Sequence, residues 1–505
     1  MGHLVDNLIE AARRHPDRPA VRLEDLVLTY RELLDAARRT AGMLQARGLE
    51  QGDRVCLVLP NVPAFPVLFY GSLMAGCVVL PLNPLLRTRE IKYYLTDSGT
   101  RLVVAREPSA AAAATAAQAA GAECLLVGAA GPSTEQLGEA SPVTEPVEVA
   151  DDDTAVLLYT SWVSGKPRGA QLTHANLSSN AATSATILRY TSDDVVMGCL
   201  PLFHLFGLTG GLNAAVFAGA CLTLMPRFHP GQALQVIDRD EVTIFLGVPT
   251  MYSALLQAQN RDSFDISKLG TCITGGSPMP VEVLQSFEEA FGCIVLEGYG
   301  LSETSPVASF NHMDAERKAG SIGTPVAGTE LKLIGDDGSD LPGGSDQVGE
   351  IAIRGEGVMK GYWEHPEDTA KVMADGWLRT GDLATRDADG FYFIVDRKKD
   401  LIIRGGYNVY PGEIEDALRE HEAVADAAVI GIEHPHLGEE VGALVVLEPG
   451  AQIPVEDLLS FAKERVAAYK YPRRVWIVDE LPKDAAGTIL RREIVPPQDA
   501  SRTPA

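Results

Sequence analysis

The chain has 505 residues, 46% of them hydrophobic and 22% charged, an ordinary balance for a folded globular protein. This length exceeds one compact core, so about two to four structural units are expected. A net charge of -25 argues against broad binding to nucleic acid or anionic membranes. Seven scattered cysteines and ten histidines lack disulfide or metal-ligand spacing, and the N-terminus lacks a secretory apolar core. We therefore expect a cytoplasmic protein with reduced thiols.

The first half of the chain alternates helical and extended patterns. Apolar residues at helical spacing predict helices over 30–47 and 63–75, and short apolar runs predict strands over 54–59 and 77–82. Such alternation favours parallel sheets covered by helices. The alanine-rich segment 109–122 predicts a surface helix.

The segment 205–226 contains no charged residue and is long enough to raise the question of a membrane span. Five glycine or asparagine residues interrupt it, and no other segment resembles it. We therefore interpret it as a buried helix followed by a buried strand.

Beyond about residue 320, short strand patterns alternate with acidic, glycine-rich turns, which indicates a β-rich unit. A compact α+β pattern follows, with helices over 411–421 and 455–470 and a strand over 427–432. We predict an α/β protein with an N-terminal body over 1–398, which includes a β-rich subdomain over 320–398. A small mobile α+β domain over 399–505 completes the chain, and the charged cluster 396–400 marks the boundary.

The segment 159–170 follows a buried apolar run and combines hydroxyls, glycines and a lysine. Hydroxyls and backbone N–H groups donate to phosphate oxygens, and a cation offsets their charge, so the loop is a candidate phosphate site. An ordinary polar turn is the alternative. Trp162 and Val163 are bulky where such a loop is usually small.

Two further segments carry compatible chemistry. Residues 298–304 combine the aromatic face of Tyr299, a glycine turn, the Ser302 hydroxyl and the Glu303 carboxylate. These groups suit a stacked base, a phosphate oxygen and a Mg²⁺ ion. Residues 379–382 place Asp382 after a Thr-Gly turn, which suits the paired hydroxyls of a ribose.

In this order, the segments resemble the adenylate-forming superfamily, which includes acyl-CoA synthetases, aryl-CoA ligases, luciferases and peptide-synthetase adenylation domains. Further matching segments are 28–33, 201–204, 248–250, 275–278, 407–415 and 489–492. The resemblance implies two steps: a carboxylate attacks ATP to form an acyl-adenylate, and CoA then displaces AMP after the C-terminal domain swings. It implies ATP, Mg²⁺ and CoA as cofactors.

The resemblance also implies a role for each matching residue. The phosphate contacts would be Thr160, Ser161, Ser164, Gly165, Lys166 and Ser302. Glu303 would hold the Mg²⁺. The adenine pocket and its turn would use Gly275, Gly276, Ser277, Tyr299 and Gly300. The ribose contacts would be Asp382 and Arg397, the hinge Lys399, and the pantetheine tunnel wall Gly405 and Gly406.

His204 matches an aromatic position that closes over the acyl group in this family, with a packed core histidine as the alternative. The remaining residues of the implied acyl pocket are apolar or small: Phe206, Gly207, Val248, Gly298, Pro306 and Val307. Such a pocket favours a hydrophobic carboxylic acid, aromatic or aliphatic.

Three features depart from the family pattern. Trp162 and Val163 replace a glycine and a hydroxyl residue, and Arg168 replaces a lysine. Thr488 stands where the family has a catalytic lysine, whose loss typically lowers the rate on the order of a hundredfold.

These departures leave alternatives beside a CoA ligase. One is an adenylating enzyme with another nucleophile or an unusual acid, such as an amide ligase or a nitrite-dependent diazotase. The other is a catalytically impaired protein that binds nucleotide or acyl-CoA.

Overall fold

The computed structural model describes residues 3–138, 140–160, 167–335, 338–342, 344–397, 401–482, 489, 491 and 494–497, without the side chains of 345, 346, 396 and 397. The elements alternate between strands and helices through the first 310 residues. The predicted α/β class is confirmed.

The first sheet of the N-terminal body is parallel at its centre and antiparallel at both edges. Its strands, in spatial order, are Thr324–Pro325, Val307–Phe310, Ile294–Gly300, Thr271–Thr274, Ile244–Gly247, Val195–Gly198, Cys221–Leu224, Pro19–Leu23 and Leu26–Thr29. The carboxyl ends of the parallel strands share one edge, where ligand crevices form in open α/β sheets.

The second sheet of the body has a parallel centre and an antiparallel edge. Its strands, in spatial order, are Gly361–Tyr362, Arg168–Thr173, Thr154–Thr160, Val78–Leu82, Arg54–Val58, Leu102–Ala105 and Glu123–Leu126. The inner faces of both sheets and the helices between them share one hydrophobic core. The outer faces carry two further cores under their own helices.

The helices of the body cover these sheets. They are Asp6–Arg14, Tyr30–Ala46, Ala64–Met74, Thr88–Ser98, Ala110–Ala120, Thr134–Leu137, His174–Ile187, Ala214–Ala218, Pro230–Arg239, Pro249–Leu256, Val281–Phe291 and Pro366–Val372. Shorter turns are the π-helix Phe206–Asn213 and the 3₁₀ turns Arg261–Ser263 and Ser302–Thr304.

Sequence patterns explain several of these boundaries. The Thr29 side chain accepts a hydrogen bond from the Glu32 N–H, and the Glu32 carboxylate accepts one from the Thr29 N–H. This pair of bonds caps the start of the helix Tyr30–Ala46. The predicted helices and strands of the first half are present with ends shifted by one or two residues. The uncharged segment 205–226 forms helical turns and then the strand Cys221–Leu224, as expected. Among the described residues, no helix is long and apolar enough to cross a membrane.

A β-rich part follows the parallel sheets, and its strands pair antiparallel. They are Asp340–Leu341, Thr329–Ile334, Ser345–Gly355, Trp377–Arg386, Met373–Ala374 and Tyr392–Arg397. The strand Trp377–Arg386 carries the Thr-Gly-Asp turn to the edge of the first sheet.

Residues 401–482, here called the C-terminal unit, build a separate sheet and core. The strands are Tyr407–Val409, Ile402–Arg404, Gly438–Leu447, Val424–His434 and Arg474–Ile477, and the helices are Pro411–Arg419 and Val455–Arg465. The predicted helix over 411–421 and strand over 427–432 lie within this unit.

Candidate active site

A cavity of about 920 Å³ opens at the shared carboxyl edge of the parallel strands. In the strand register Gly247 pairs with Thr274, and Thr274 pairs with Glu297. Val248, Gly275 and Gly298 are therefore the next residues along three neighbouring strands, side by side, and all three line the cavity. The C-terminal unit covers the opening.

Two phenyl rings, those of Phe206 and Phe310, line the cavity. A Cβ on Gly298 would lie 2.3 Å from the Phe310 ring, and one on Gly275 would lie 3.5 Å from the Phe206 ring. The rings therefore occupy the space that a side chain would fill at each of these two positions. Ile273 completes this wall. Leu208, Leu212 and Leu246 belong to the shared core and are fully or almost fully buried.

His204 lines the same part of the cavity. Its Nδ1 accepts the backbone N–H of Phe206 at 3.3 Å, so the neutral ring carries its proton on Nε2. Burial lowers the pKa of His204 to about 4. The imidazole is therefore neutral at pH 7 and presents a hydrogen-bond donor.

Glu303 lies in the turn Ser302–Thr304 and is 5% exposed. Thr160 Oγ1 and the Tyr362 hydroxyl both donate to its Oε1, at 2.8 and 2.9 Å. Burial and the Glu303 carboxylate raise the pKa of Tyr362, which keeps this donor protonated. Among the described residues, no group donates to Oε2. A carboxylate bonded to Thr160, the first residue of the candidate phosphate loop, fits Mg²⁺, which takes oxygen ligands from carboxylates and substrate phosphates.

The side chains of Tyr299 and Asp382 are in direct contact. The Tyr299 hydroxyl donates to Asp382 Oδ2 at 2.6 Å, and Asp382 is 1% exposed. Glu350 Oε1 accepts the Gly381 N–H at 2.9 Å and orders the turn that presents Asp382. The structure thus brings the proposed adenine and ribose residues together.

The turn after Tyr299 depends on glycine. A Cβ on Gly300 would lie 1.7 Å from the Pro306 carbonyl oxygen, so only glycine fits there. Gly300, Ser302, Pro306 and Val307 all line the cavity.

The C-terminal unit contributes the facing wall. Gly406 has a φ of +83° and lies against Val248, where a Cβ would be 2.8 Å from Cγ2. Tyr407, Asn408 and Tyr410 extend this wall. Gly405 lies beside Leu437 instead and does not line the cavity.

Other sequence-predicted residues have different positions. Gly276 lines the cavity, whereas Ser277 and Asp382 lie just outside its lining. Gly207 packs on the backbone of Leu200 and Pro201, where its Cβ would be 2.3 Å from the Pro201 oxygen, and does not line the cavity. Ser161, Trp162, Val163, Ser164, Gly165, Lys166, Lys399 and Thr488 lie outside the described residues, as does the side chain of Arg397.

Arg168, the substitute for the family lysine, is already paired. Its Nε donates to Asp368 Oδ2 at 2.8 Å, and a further N–H donates to the Tyr93 hydroxyl at 3.4 Å. Its side chain is 14% exposed. Arg168 therefore supports the strand next to the loop rather than offering an unpaired cation.

Sequence reasoning missed several residues of the site. Phe310 and Ile273 reach the cavity, and Tyr362 reaches Glu303, through tertiary packing, and none of the three belongs to a motif. Alternation along the strands marks Ile273 and Phe310 as buried, but not the cavity that they face.

Comparisons with known proteins agree with the motifs. The family described as "AMP-binding enzyme" matches residues 8–363, and "AMP-binding enzyme C-terminal domain" matches 413–488. A long-chain-fatty-acid–CoA ligase of Bacillus subtilis (strain 168) is 37% identical over 97% of this chain and 93% of its own. A feruloyl-CoA synthase of Amycolatopsis sp is 37% identical over 96% and 97%.

Among solved structures, a double mutant of o-succinylbenzoate CoA synthetase (MenE) from Bacillus subtilis, bound with its product analogue OSB-NCoA, has a TM-score of 0.87. It is 31% identical and covers 98% of each chain. The chain belongs to the AMP-binding enzyme family, and its predicted class, an ATP-dependent acid–thiol ligase, is confirmed.

Proposed function

We propose that this enzyme activates an aromatic carboxylic acid with ATP and transfers the acyl group to CoA. The observation that carries the choice of acid is the aromatic lining of the cavity, where the Phe206 and Phe310 rings cover Gly275 and Gly298. Aromatic side chains that line a pocket favour a flat ring, which gains edge or offset stacking contacts.

The reaction has two balanced steps. The acid carboxylate attacks the α-phosphorus of ATP, forms the acyl-adenylate and releases pyrophosphate. The CoA thiol, after losing its proton, then attacks the acyl carbonyl, forms the thioester and releases AMP. ATP, Mg²⁺ and CoA are the cofactors of this class.

The phosphate end of the site is proposed to use Glu303. Its Oε1 is held by Thr160 and Tyr362, which orients Oε2 for the Mg²⁺ ion. When bound, Mg²⁺ offsets the charge of the phosphate oxygens. Ser302 lies in the same turn and is proposed to contact the α-phosphate.

The nucleoside end is proposed to use the Tyr299–Asp382 pair. The phenolic ring offers a face for adenine, and the Asp382 carboxylate accepts hydrogen bonds from ribose hydroxyls. The bond between them fixes both groups before the nucleotide binds.

His204 is proposed to orient the acyl group. The neutral ring donates from Nε2, and the carboxylate of the acid or the carbonyl of the adenylate is the matching acceptor. A neutral donor at this apolar end avoids the cost of burying an unpaired cation.

A long-chain fatty acid is the second candidate, since a fatty-acid ligase is as similar in sequence as the feruloyl-CoA synthase. A long alkyl chain needs a tunnel beyond the acyl site. Leu208, Leu212 and Leu246 belong to the same packed core as the two phenyl rings, are buried, and do not line the cavity. The aromatic acid is therefore the better fit.

The other parts of the proposal concern organisation and location. We propose domains over 1–398 and 399–505, with support from the separate core of the C-terminal unit. All seven cysteines are free thiols, which supports a cytoplasmic location.

The test is pyrophosphate release with a panel of benzoates, hydroxycinnamates and saturated fatty acids, with and without CoA. We expect the highest kcat/KM with an aromatic acid and thioester formation only with CoA. The variant Phe310→Ala removes one of the two aromatic rings from the cavity lining and is expected to improve the relative kcat/KM of medium-chain aliphatic acids. A best substrate among long-chain acids, or product formation that requires an amine or nitrite instead of CoA, would contradict the proposal.

A further inference from the structure

A buried ammonium group connects the C-terminal unit to the N-terminal body. Lys470 Nζ lies 2.7 Å from Glu90 Oε1 and 2.6 Å from Glu413 Oε2. The three side chains are 3%, 8% and 11% exposed. Burial alone lowers the pKa of Lys470, but Glu413 and Glu90 outweigh this effect and raise the pKa above its ordinary value. Lys470 is therefore charged at its buried position.

The two carboxylates belong to different parts of the molecule. Glu413 lies in the helix Pro411–Arg419, within the same unit as Lys470. Glu90 lies in the first turn of the body helix Thr88–Ser98, where its Oε2 accepts the Arg87 N–H at 2.8 Å. One ion pair is thus internal to the C-terminal unit, and the other joins the unit to the body.

Apolar contacts surround this connection. Ala467 is fully buried in the hydrophobic cluster formed by the helix Thr88–Ser98 and the second sheet of the body. Tyr469 packs on the same cluster and stacks on Tyr407 at 4.6 Å between ring centroids. The Tyr94 hydroxyl donates to Glu413 Oε1 at 3.4 Å. The ion pairs are therefore shielded from solvent. Charge interactions are stronger in such a buried, low-dielectric environment than in water.

The same contacts set the position of the cavity wall. While Lys470 is paired with Glu90, the strand Tyr407–Val409 lines the cavity, and Gly406 contacts Val248 beside the proposed acyl end. We propose that Lys470 is a positioning residue, whose ion pair with Glu90 holds the C-terminal unit in the arrangement used for acyl transfer to CoA. This inference rests on the proposed two-step function.

The proposal predicts different effects on the two half-reactions, adenylation and acyl transfer. The Glu90–Lys470 pair exists only while the segment 467–470 packs on the helix Thr88–Ser98. Loss of the pair therefore destabilises this arrangement of the C-terminal unit and no other arrangement. Removing one partner of a buried charge pair typically weakens the contact by more than about tenfold. Acyl transfer is therefore expected to slow, while adenylation is retained.

The main variant is Glu90→Gln. Glutamine keeps the size of the side chain and an oxygen for the Arg87 N–H, and Glu90 does not line the cavity. Adenylation is measured as acid-dependent ATP–pyrophosphate exchange, and transfer as single-turnover reaction of preformed acyl-adenylate with CoA. We expect transfer to fall on the order of tenfold or more, with exchange within about twofold of wild type.

A neighbouring ion pair offers a matched control. Arg89 pairs with Glu420 between the same two parts, but these side chains are 43% and 44% exposed. Exposed pairs contribute little, so Arg89→Ala should leave both half-reactions near wild type. Lys470→Arg should retain more transfer than Lys470→Met, because it retains the charge.

Equal losses in exchange and transfer, or unchanged transfer in Glu90→Gln, would overturn the positioning role. If Glu90→Gln does not fold, wild-type transfer in Lys470→Met overturns it equally. A wild-type enzyme that shows neither exchange nor transfer with any acid would instead contradict the proposed function.

Discussion

Thr160 Oγ1 donates to Glu303 Oε1 at 2.8 Å and joins two residues that are 143 positions apart. Thr160 ends a strand of the second sheet, and Glu303 follows a strand of the first sheet. The bond therefore ties the start of the candidate phosphate loop to the candidate Mg²⁺ ligand. Each segment alone is a weak signal, but their contact brings both to one site.

The charge of Glu303 is the first target for mutation. In Glu303→Gln the acceptor for Thr160 and Tyr362 remains, but the negative charge for Mg²⁺ is lost. We expect pyrophosphate release to fall on the order of a hundredfold at fixed Mg²⁺. Measurement over a Mg²⁺ titration, with the exposed Glu356→Gln as control, checks this result. Equal rates in the Glu303 variant and the wild type would show that Glu303 does not hold the Mg²⁺ ion.

We expect the proposed acyl end to be sensitive to a single added methyl group. In Gly298→Ala the new Cβ would lie 2.3 Å from the Phe310 ring, which must move into the cavity. A displaced ring narrows the space for the acid, and about 1.4 kcal/mol of lost binding free energy corresponds to a tenfold change, so we expect about a tenfold or greater rise in KM for an aromatic acid. Gly211→Ala is the control, because no atom lies within 4 Å of its Cβ position. Unchanged KM in Gly298→Ala would contradict the assigned acyl end.

Thr488 is predicted to limit adenylation. The variant Thr488→Lys restores the cation that the family places after the glycine, and the adenylation rate should rise on the order of a hundredfold. Thr488→Met adds length without charge and should have no such effect. The measurement is ATP–pyrophosphate exchange at saturating acid. A Thr488→Lys enzyme no faster than wild type would mean that threonine is an adaptation at this position.

Buried histidine makes stability depend on pH. Burial and then His3 lower the pKa of His174 to about 3, while the unfolded chain titrates near its ordinary value of about 6.5. Below that value the unfolded state binds a proton that the folded state does not. The free energy of unfolding should therefore be highest above pH 6.5. The contribution of His174 to the free energy of unfolding should fall by about 1.4 kcal/mol per pH unit as the pH decreases toward 4.

The histidine prediction is checked by urea unfolding of wild type and His174→Gln between pH 4 and 8. The difference in unfolding free energy between the two proteins should shrink as the pH falls. The exposed His229→Gln should keep the wild-type slope. A constant difference across this range would show that His174 does not carry the acid sensitivity.

Local patterns were enough to predict the fold class and the order of motifs. Apolar alternation and helical spacing depend on neighbouring residues, so the helix Tyr30–Ala46 and the strand Arg54–Val58 lie where the sequence places them. The glycine at 300 also follows from a local constraint, the close approach of the Pro306 carbonyl. Arg168 shows the limit of such reasoning, because its partner Asp368 is 200 residues away.

The sequence by itself determined the family, the two-step chemistry and most residues of the candidate site, because the ordered motifs carry the groups expected to contact ATP. Only the tertiary structure decided which residues meet. Tyr362 reaches Glu303, Phe310 covers Gly298, and Lys470 crosses to Glu90. These contacts join segments that are far apart in the chain, so they depend on packing, hydrogen bonding and the pairing of buried charges between distant residues, which no local pattern records.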